Sequence, residues 1–122
     1  KAQHFPIVKG GDSAFYMLGW GVPTFDSHYI FNFLVHTPTD DRGSWNPTGY
    51  SNGEVDAMIV SLESETDLSA RDTIIAKIWD NVQDAQMYLP IHNQVLNWGM
   101  RSDIVFEVQP EDQPHFQFLK FN

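Results

Sequence analysis

The sequence predicts an α/β domain: a small mixed sheet of about three strands packed with about three helices. Three observations lead there. The apolar run Ala14-Phe15-Tyr16-Met17-Leu18 has strand character and closes on Gly19-Trp20-Gly21. Two later stretches carry apolar residues at helical spacing, Val55, Met58, Ile59, Leu62 and Ile74, Ile75, Ile78, Trp79, Val82. Between Leu89 and Asn97 apolar and polar residues alternate, as in a strand with one face covered. A length of 122 residues fits one domain, 1–122, or one piece of a larger one.

The elements follow in order. Residues 1–11 read as a connector ending in Gly10-Gly11. Asp12 to Trp20 reads as a strand buried on both faces, because its apolar run is continuous. Gly19 and Gly21 allow an irregular backbone after it, and Val22-Pro23 restrains the turn that follows. Asp26 or Ser27 can then cap a short helix whose face is Tyr29, Ile30, Phe33 and Leu34, ending near His36. Thr37 to Tyr50 is a loop by its Pro, Asp, Asn and Gly content, with Trp45 in its middle.

Ser51-Asn52-Gly53-Glu54 has the spacing of a capping box and starts the next helix, which buries Val55, Met58, Ile59 and Leu62. Asp67 or Ser69 starts another. It buries Ile74, Ile75, Ile78, Trp79, Val82 and Ala85, and stops before Pro90. Asp72, Asp80 and Asp84 lie off that stripe, on a solvated face. Leu89 to Trp98 is the next strand, broken by Gly99, and Pro110 and Pro114 mark a loop. Phe116 to Phe121 alternates again and returns as a third strand.

Composition excludes several functions. A formal net charge of −9, with only 7 Lys and Arg in scattered positions, argues against a nucleic-acid partner, which would need clustered cations. No apolar run approaches the ~18–20 residues that span a bilayer. The opening Lys1-Ala2-Gln3-His4-Phe5-Pro6 has no signal-peptide pattern. A chain that lacks an initial Met and closes on Phe121-Asn122 reads as an excised fragment. With no Cys, disulfides, thiolate chemistry and Cys-based zinc sites drop out. His4, His28, His36, His92 and His115 include no pair at metal-ligand spacing, so no metal or cofactor is expected. Gly-x-Ser-x-Gly and phosphate-loop patterns are also missing. What the residues offer is aromatic surface: 4 Trp and 14% aromatics, with Trp20 held at a strand's carboxyl end, where open α/β sheets bind ligands. Trp20 as an ordinary core residue is the competing reading.

Four separated stretches go further together. They are Leu18-Gly19-Trp20, then Tyr50-Ser51-Asn52-Gly53-Glu54-Val55-Asp56-Ala57-Met58-Ile59, then Glu65-Thr66-Asp67-Leu68-Ser69-Ala70-Arg71, then Leu89-Pro90-Ile91. In that order they resemble the C-terminal part of the extracytoplasmic solute-binding proteins of ABC importers, the oligopeptide, dipeptide and nickel-binding family (family 5). The family pattern runs Gly-Trp, Tyr-x-Asn-x-x-Val-Asp-x-Leu-Ile, Glu-x-Asp-x-x-x-Arg and Ile-Pro-Leu. The likeness covers roughly residues 14–105.

The resemblance implies part of the C-terminal lobe of a type II periplasmic-binding-protein fold, in a two-lobed protein that closes on its ligand. It implies a periplasmic or extracytoplasmic location and a permease partner, with the rest of the same chain forming the other lobe. Peptides or peptide-like solutes are the implied ligands, with a metal chelate, a sugar or another non-peptide as the alternative. No catalytic residue is implied. In peptide-binding members a carboxylate three residues after the tryptophan meets the peptide's ammonium group. Here that position is Pro23. Asp26 is the next acid, with helix capping as its competing role. The expected ligand contacts are therefore Trp20, Gly21, Pro23 and Asp26, then Trp45, then His92 and Gln94. A protein-interaction module is the remaining alternative; it predicts self-association of the isolated chain through its aromatic face.

Overall fold

The computed structural model describes residues 2–110 and 112–122. Among these, helices and strands are mixed: four α-helices and one two-stranded antiparallel sheet. The helices are α1 (His4–Gly10), α2 (Ser27–Ile30), α3 (Gly53–Ser61) and α4 (Leu68–Asp84). A π-helical turn (Phe31–Val35) continues α2, and a 3₁₀ turn covers Phe116–Phe118.

The connector expected over residues 1–11 is instead α1. Pro6 sits in its first turn, where the missing N–H costs nothing, and the helix ends in a Schellman turn. Gly11 adopts φ 72°, its N–H reaches Val8 O, and Asp12 N–H reaches Ile7 O. The Gly-Gly pair ends a helix rather than extending a linker.

Where the sequence predicts three strands, only β1 (Ile104–Val105) and β2 (Lys120–Phe121) pair, with Ile104 opposite Phe121. The segment 12–20 forms no strand and bends at Ala14-Phe15. Its side chains alternate rather than being buried on both faces: Tyr16, Leu18 and Trp20 are half-buried, while Phe15 and Met17 are 80% and 67% exposed. Leu89 to Trp98 is likewise without a ladder, and exposed throughout. Apolar patterning alone does not make either segment a strand: a strand needs a hydrogen-bonded neighbour, and these segments have none among the described residues. In the third expected strand Phe116–Phe118 turns as 3₁₀ and only its end is β.

The helices follow the sequence more closely. Asp26 caps α2, its carboxylate accepting the His28 N–H at 2.8 Å, and Asp67 caps α4 through the Ala70 N–H at 2.8 Å. The α3 cap is Asn52 and not Ser51. Asn52 has extended φ and ψ, and its side-chain oxygen accepts from Glu54 and Val55 N–H. Its carbonyl accepts the first intrahelical bond, from Asp56, so the helix starts one residue later than the capping-box spacing suggests. Ser51 instead accepts a hydrogen bond from the Thr37 hydroxyl.

The core is a helix-on-helix contact. Phe31 and Val35 of the π turn, Val55, Ile59 and Leu62 of α3 and its end, and Ile78 and Val82 of α4 are fully buried together. The Phe31 ring meets Trp79 edge-on, with centroids 4.9 Å apart. Each such aliphatic side chain contributes about 1.5–3 kcal/mol by leaving water. Ala85, expected on the α4 stripe, is exposed.

The end of the α2–π helix is completed from outside. Asn32 O accepts from Gly43 N–H at 2.8 Å and Phe33 O from Trp45 N–H at 3.0 Å. Leu34 O accepts from the Tyr88 hydroxyl at 2.7 Å, and burial pushes the Tyr88 phenol well above its ordinary pKa. The buried Asn46 amide donates to Val35 O, His36 O and Tyr50 O. Carbonyls that a helix C-terminus leaves unpaired are thus taken up by the 37–50 loop and by Tyr88. Asp56 accepts the Thr37 N–H and ties the start of this loop to α3.

Gly43 is buried at φ 63°, and a Cβ there would press into the His36 carbonyl and come within 2.8 Å of the Pro38 backbone. Gly43→Ala is expected to destabilise by about 2–4 kcal/mol, combining left-handed strain with a clash against backbone that cannot yield. Gly49→Ala, at φ 77° but with open space around its Cβ position, should cost only about 1–2 kcal/mol. Urea denaturation midpoints of the two variants measure the difference; equal losses would refute the account of Gly43.

Candidate ligand-binding site

The expected site residues come together in part. Val22-Pro23-Thr24-Phe25 forms a turn closed by Phe25 N–H to Val22 O at 3.1 Å, with Pro23 at the position whose φ it pre-sets. Neither Gly19 nor Gly21 has a positive φ; the left-handed residue of this loop is Phe25, at φ 54°. Gly21 and Pro23 are exposed on the loop, and the turn delivers Asp26 to the start of α2.

Trp20 packs against the first turns of that helix. Its ring centroid lies 6.3 Å from Tyr29 and 6.0 Å from Phe33, and those two are 4.9 Å apart. Trp45 joins from the loop at 5.9 Å from Trp20. The backbone bond from Trp45 N–H to Phe33 O places it there. From its other side α1 covers Trp45: the Phe5 ring meets it edge-on at 5.4 Å, and Lys9 Nζ stands 4.0 Å over its face. Such tilted and edge-on pairs are favoured over flat stacking and contribute about 0.5–1.5 kcal/mol each beyond area burial.

Beside this cluster lies a pocket of about 290 Å³ lined by Thr24, Asp26, His28, Tyr29, Asn32 and Phe33. Trp20 is not in its lining but backs the Tyr29 and Phe33 wall. The Trp20 indole N–H and the Asn32 side-chain oxygen are shielded from solvent and have no protein partner. Unpaired buried groups of this kind cost about 1–3 kcal/mol each, which a ligand or a bound water would relieve. A larger open hollow, about 440 Å³, lies between α3 and α4 beside Glu54, Met58, Lys77, Asp80 and Asn81. It contains no aromatic side chain and none of the expected contacts.

Asp26 does two things at once. One carboxylate oxygen accepts the His28 N–H, and the other accepts from Arg71 at 2.6 Å. The backbone hydrogen bond, then the Arg71 guanidinium, hold its pKa below the usual carboxylate range. Arg71 also donates to Leu62 O and Glu65 O, so it fastens the α3–α4 corner to the loop after Trp20. Nearby, Glu63 pairs with Arg42 at 2.6 Å and stands 3.8 Å from His28 Nε2.

Gln94 and His92 fare differently from the rest. The Gln94 side chain comes beside Gly19, 4.0 Å from where a Cβ would stand, while His92 is exposed and lines neither of these two pockets. Missed in the sequence were Thr24, His28, Asn32 and the Tyr29–Phe33 wall. The i, i+4 spacing of Tyr29 and Phe33 is the available signal, but by itself it predicts only one face of a short helix.

Among the described residues no three or more His, Asp or Glu are grouped to hold a metal ion, and no helix is long and apolar enough to cross a membrane. Comparison with protein-family models, with curated proteins and with solved structures finds no match to this chain.

Asp26→Asn keeps the helix cap and removes the charge, whereas Asp26→Ala removes both. The pair is partly exposed, so Asp26→Asn should cost about 1 kcal/mol at neutral pH and Asp26→Ala about 1 kcal/mol more. Because the folded-state pKa is lowered, this stability is present above the unfolded value of about 3.9 and lost as pH falls through the folded value. Wild type and Asp26→Asn should therefore converge in stability at acid pH. A gap that stays constant down to strong acid would show that the charge contributes nothing.

Proposed function

We propose that this chain is part of the C-terminal lobe of an extracytoplasmic solute-binding protein of an ABC importer, capturing peptides or peptide-like solutes and passing them to a membrane permease. One observation carries the reading. One of the stretches that suggested it reaches, in space, the loop that follows another. Arg71, the last residue of the Glu-x-Asp-x-x-x-Arg stretch, bridges Asp26 of the Gly-Trp loop to the corner holding Leu62 and Glu65. The result is an aromatic loop on a firm base with a small pocket beside it whose walls are mainly apolar with a few polar side chains, the composition expected of a solute site. In such a protein the other lobe supplies the second wall and binding proceeds by hinge closure, with no catalytic group involved.

The state of Asp26 favours a second reading of the ligand. Its charge is already matched by Arg71, and Pro23 occupies the position that holds an acid in peptide binders. A free ammonium group would find no unpaired carboxylate there, and a desolvated charge without a partner is strongly disfavoured. A peptide with a blocked amino end, or a neutral non-peptide solute, suits this loop better than an ordinary peptide.

The test uses the complete protein that carries this sequence, purified gently and then denatured, with released small molecules identified by mass spectrometry. Short peptides or peptide-like solutes are expected, modified at the amino end. Sugars or chelates would keep the binding-protein reading and replace the peptide class by a non-peptide solute. Trp20→Ala should weaken rebinding of the released compound roughly tenfold or more, about 1.4 kcal/mol, as read by calorimetry. Rebinding unaffected by Trp20→Ala would remove the loop from the site.

A further inference from the structure

The helical wall of the pocket beside Trp20 carries a polar row as well as an aromatic one. His28 and Asn32 stand one turn apart on the α2–π helix, and both line the pocket. His28 Nε2 and Asn32 Oδ1 are each shielded from solvent, and neither has a hydrogen-bond partner among the described residues. Two other polar side chains of the lining are already engaged. Thr24 Oγ1 accepts the Asp26 N–H at 3.3 Å, and the two Asp26 oxygens accept from the His28 N–H and from Arg71. Two shielded polar atoms left unpaired in one wall destabilise the fold, and that cost is recovered when a bound group supplies their partners.

We propose that Asn32 and His28 select the solute: the pocket takes an uncharged group that brings a hydrogen-bond donor, an amide N–H or a hydroxyl, to Asn32 Oδ1 while pairing with His28 Nε2. The inference rests on the reading of this pocket as a solute site and deepens it by naming the chemistry. A carboxamide oxygen only accepts, so the group facing Asn32 must donate. An imidazole nitrogen donates or accepts according to its tautomer, and amides and hydroxyls offer both roles. The surrounding charges exclude an ion. Asp26 is matched by Arg71, and Glu63, 3.8 Å from His28 Nε2, is matched by Arg42, each pair at 2.6 Å. An ammonium group or a carboxylate would find no free counter-charge and would have to break one of these pairs. Tyr29 and Phe33 supply the apolar part of the same wall, which leaves the two polar atoms to fix the orientation of the group.

The experiment titrates the complete protein that carries this sequence, by calorimetry, with two uncharged probes. Acetyl-trialanine amide represents the amide source and maltotriose the hydroxyl source. Binding of one of them is expected, and its identity assigns the source of the donor. The permethylated form of that probe, with every N–H or O–H replaced, should bind wild type roughly tenfold more weakly or worse. Asn32→Leu should weaken binding of the unmethylated probe by about the same factor and erase its advantage over the permethylated form, as for two groups in direct contact. His28→Leu should act in the same direction. The permethylated comparison uses wild type alone, so it stands whether or not the variants fold. Without probe, Asn32→Leu should match or exceed wild type in urea midpoint, because it removes an unpaired oxygen. Equal binding of the permethylated form overturns the proposal, and so does affinity unchanged by Asn32→Leu. Binding of neither probe overturns it too, as does tighter binding of trialanine with a free ammonium group than of its blocked form. The importer reading is decided separately, by the compound released from the gently purified protein and its dependence on Trp20.

Discussion

The end of the α2–π helix is the constraint on which the rest depends. A helix that stops inside a protein leaves carbonyls that must find donors, and burying them unpaired would cost about as much as several core side chains contribute. Here the donors come from Gly43, Trp45, Asn46 and Tyr88, all distant in sequence from Asn32–His36. The same bonds that complete the helix fix the loop, and the loop in turn fixes Trp45 beside Trp20. The π turn contributes by widening the helix at its last turn, with His36 N–H reaching Phe31 O. Leu34, Val35 and His36 are buried in succession at this end, where the loop and Tyr88 cover it.

A second tie joins the halves of the site. Arg71 belongs to α4, whose Ile78 and Val82 anchor it in the core, and it reaches Asp26 just beyond the turn that follows Trp20. Because Asp26 is also the α2 cap, the aromatic wall of Tyr29 and Phe33, the turn at Pro23 and the α3–α4 corner share one charged contact. A change in any one of them is felt at the others, as expected for groups in a single hydrogen-bonded network.

The helical parts were legible in the sequence because their causes are local. Apolar spacing placed Val55, Ile59 and Leu62, and Ile78 and Val82, on the buried faces, and Asp26 and Asp67 could be recognised as caps. The Ser51 and Asn52 choice was missed by one residue, since both can cap and the backbone conformation decides. The strands were misjudged because alternation reports which way side chains point, not whether a neighbour offers a ladder. Phe15, Met17, Ile91 and Val95 have strand spacing without strand pairing. Trp20, Trp45 and Asp26 were found as site candidates, but Asn46 and Gly43, which hold Trp45 in place, carried no local signal. Their partners lie about ten residues away and are backbone atoms, which no side-chain pattern reveals. Helix α1 was missed because a Pro and a Gly pair disguised a helix that begins and ends with them.

Loops are usually where a protein's length is free to vary between relatives. The 37–50 loop divides differently. Gly43, Trp45 and Asn46 meet the carbonyls of Asn32, Phe33, Val35 and His36 at one helix end, so the spacing of this short run is set by the helix it closes. An inserted residue there would leave one carbonyl unmatched and turn the Trp45 ring away from Trp20. The stretch from Thr39 to Arg42, tied to itself through the Thr39 hydroxyl and the Thr39 N–H to Arg42 O bond and to the rest only by the long Arg42 side chain on Glu63, is under a looser restriction. Within a single loop, inherited insertions have room on one side of Gly43 and none on the other.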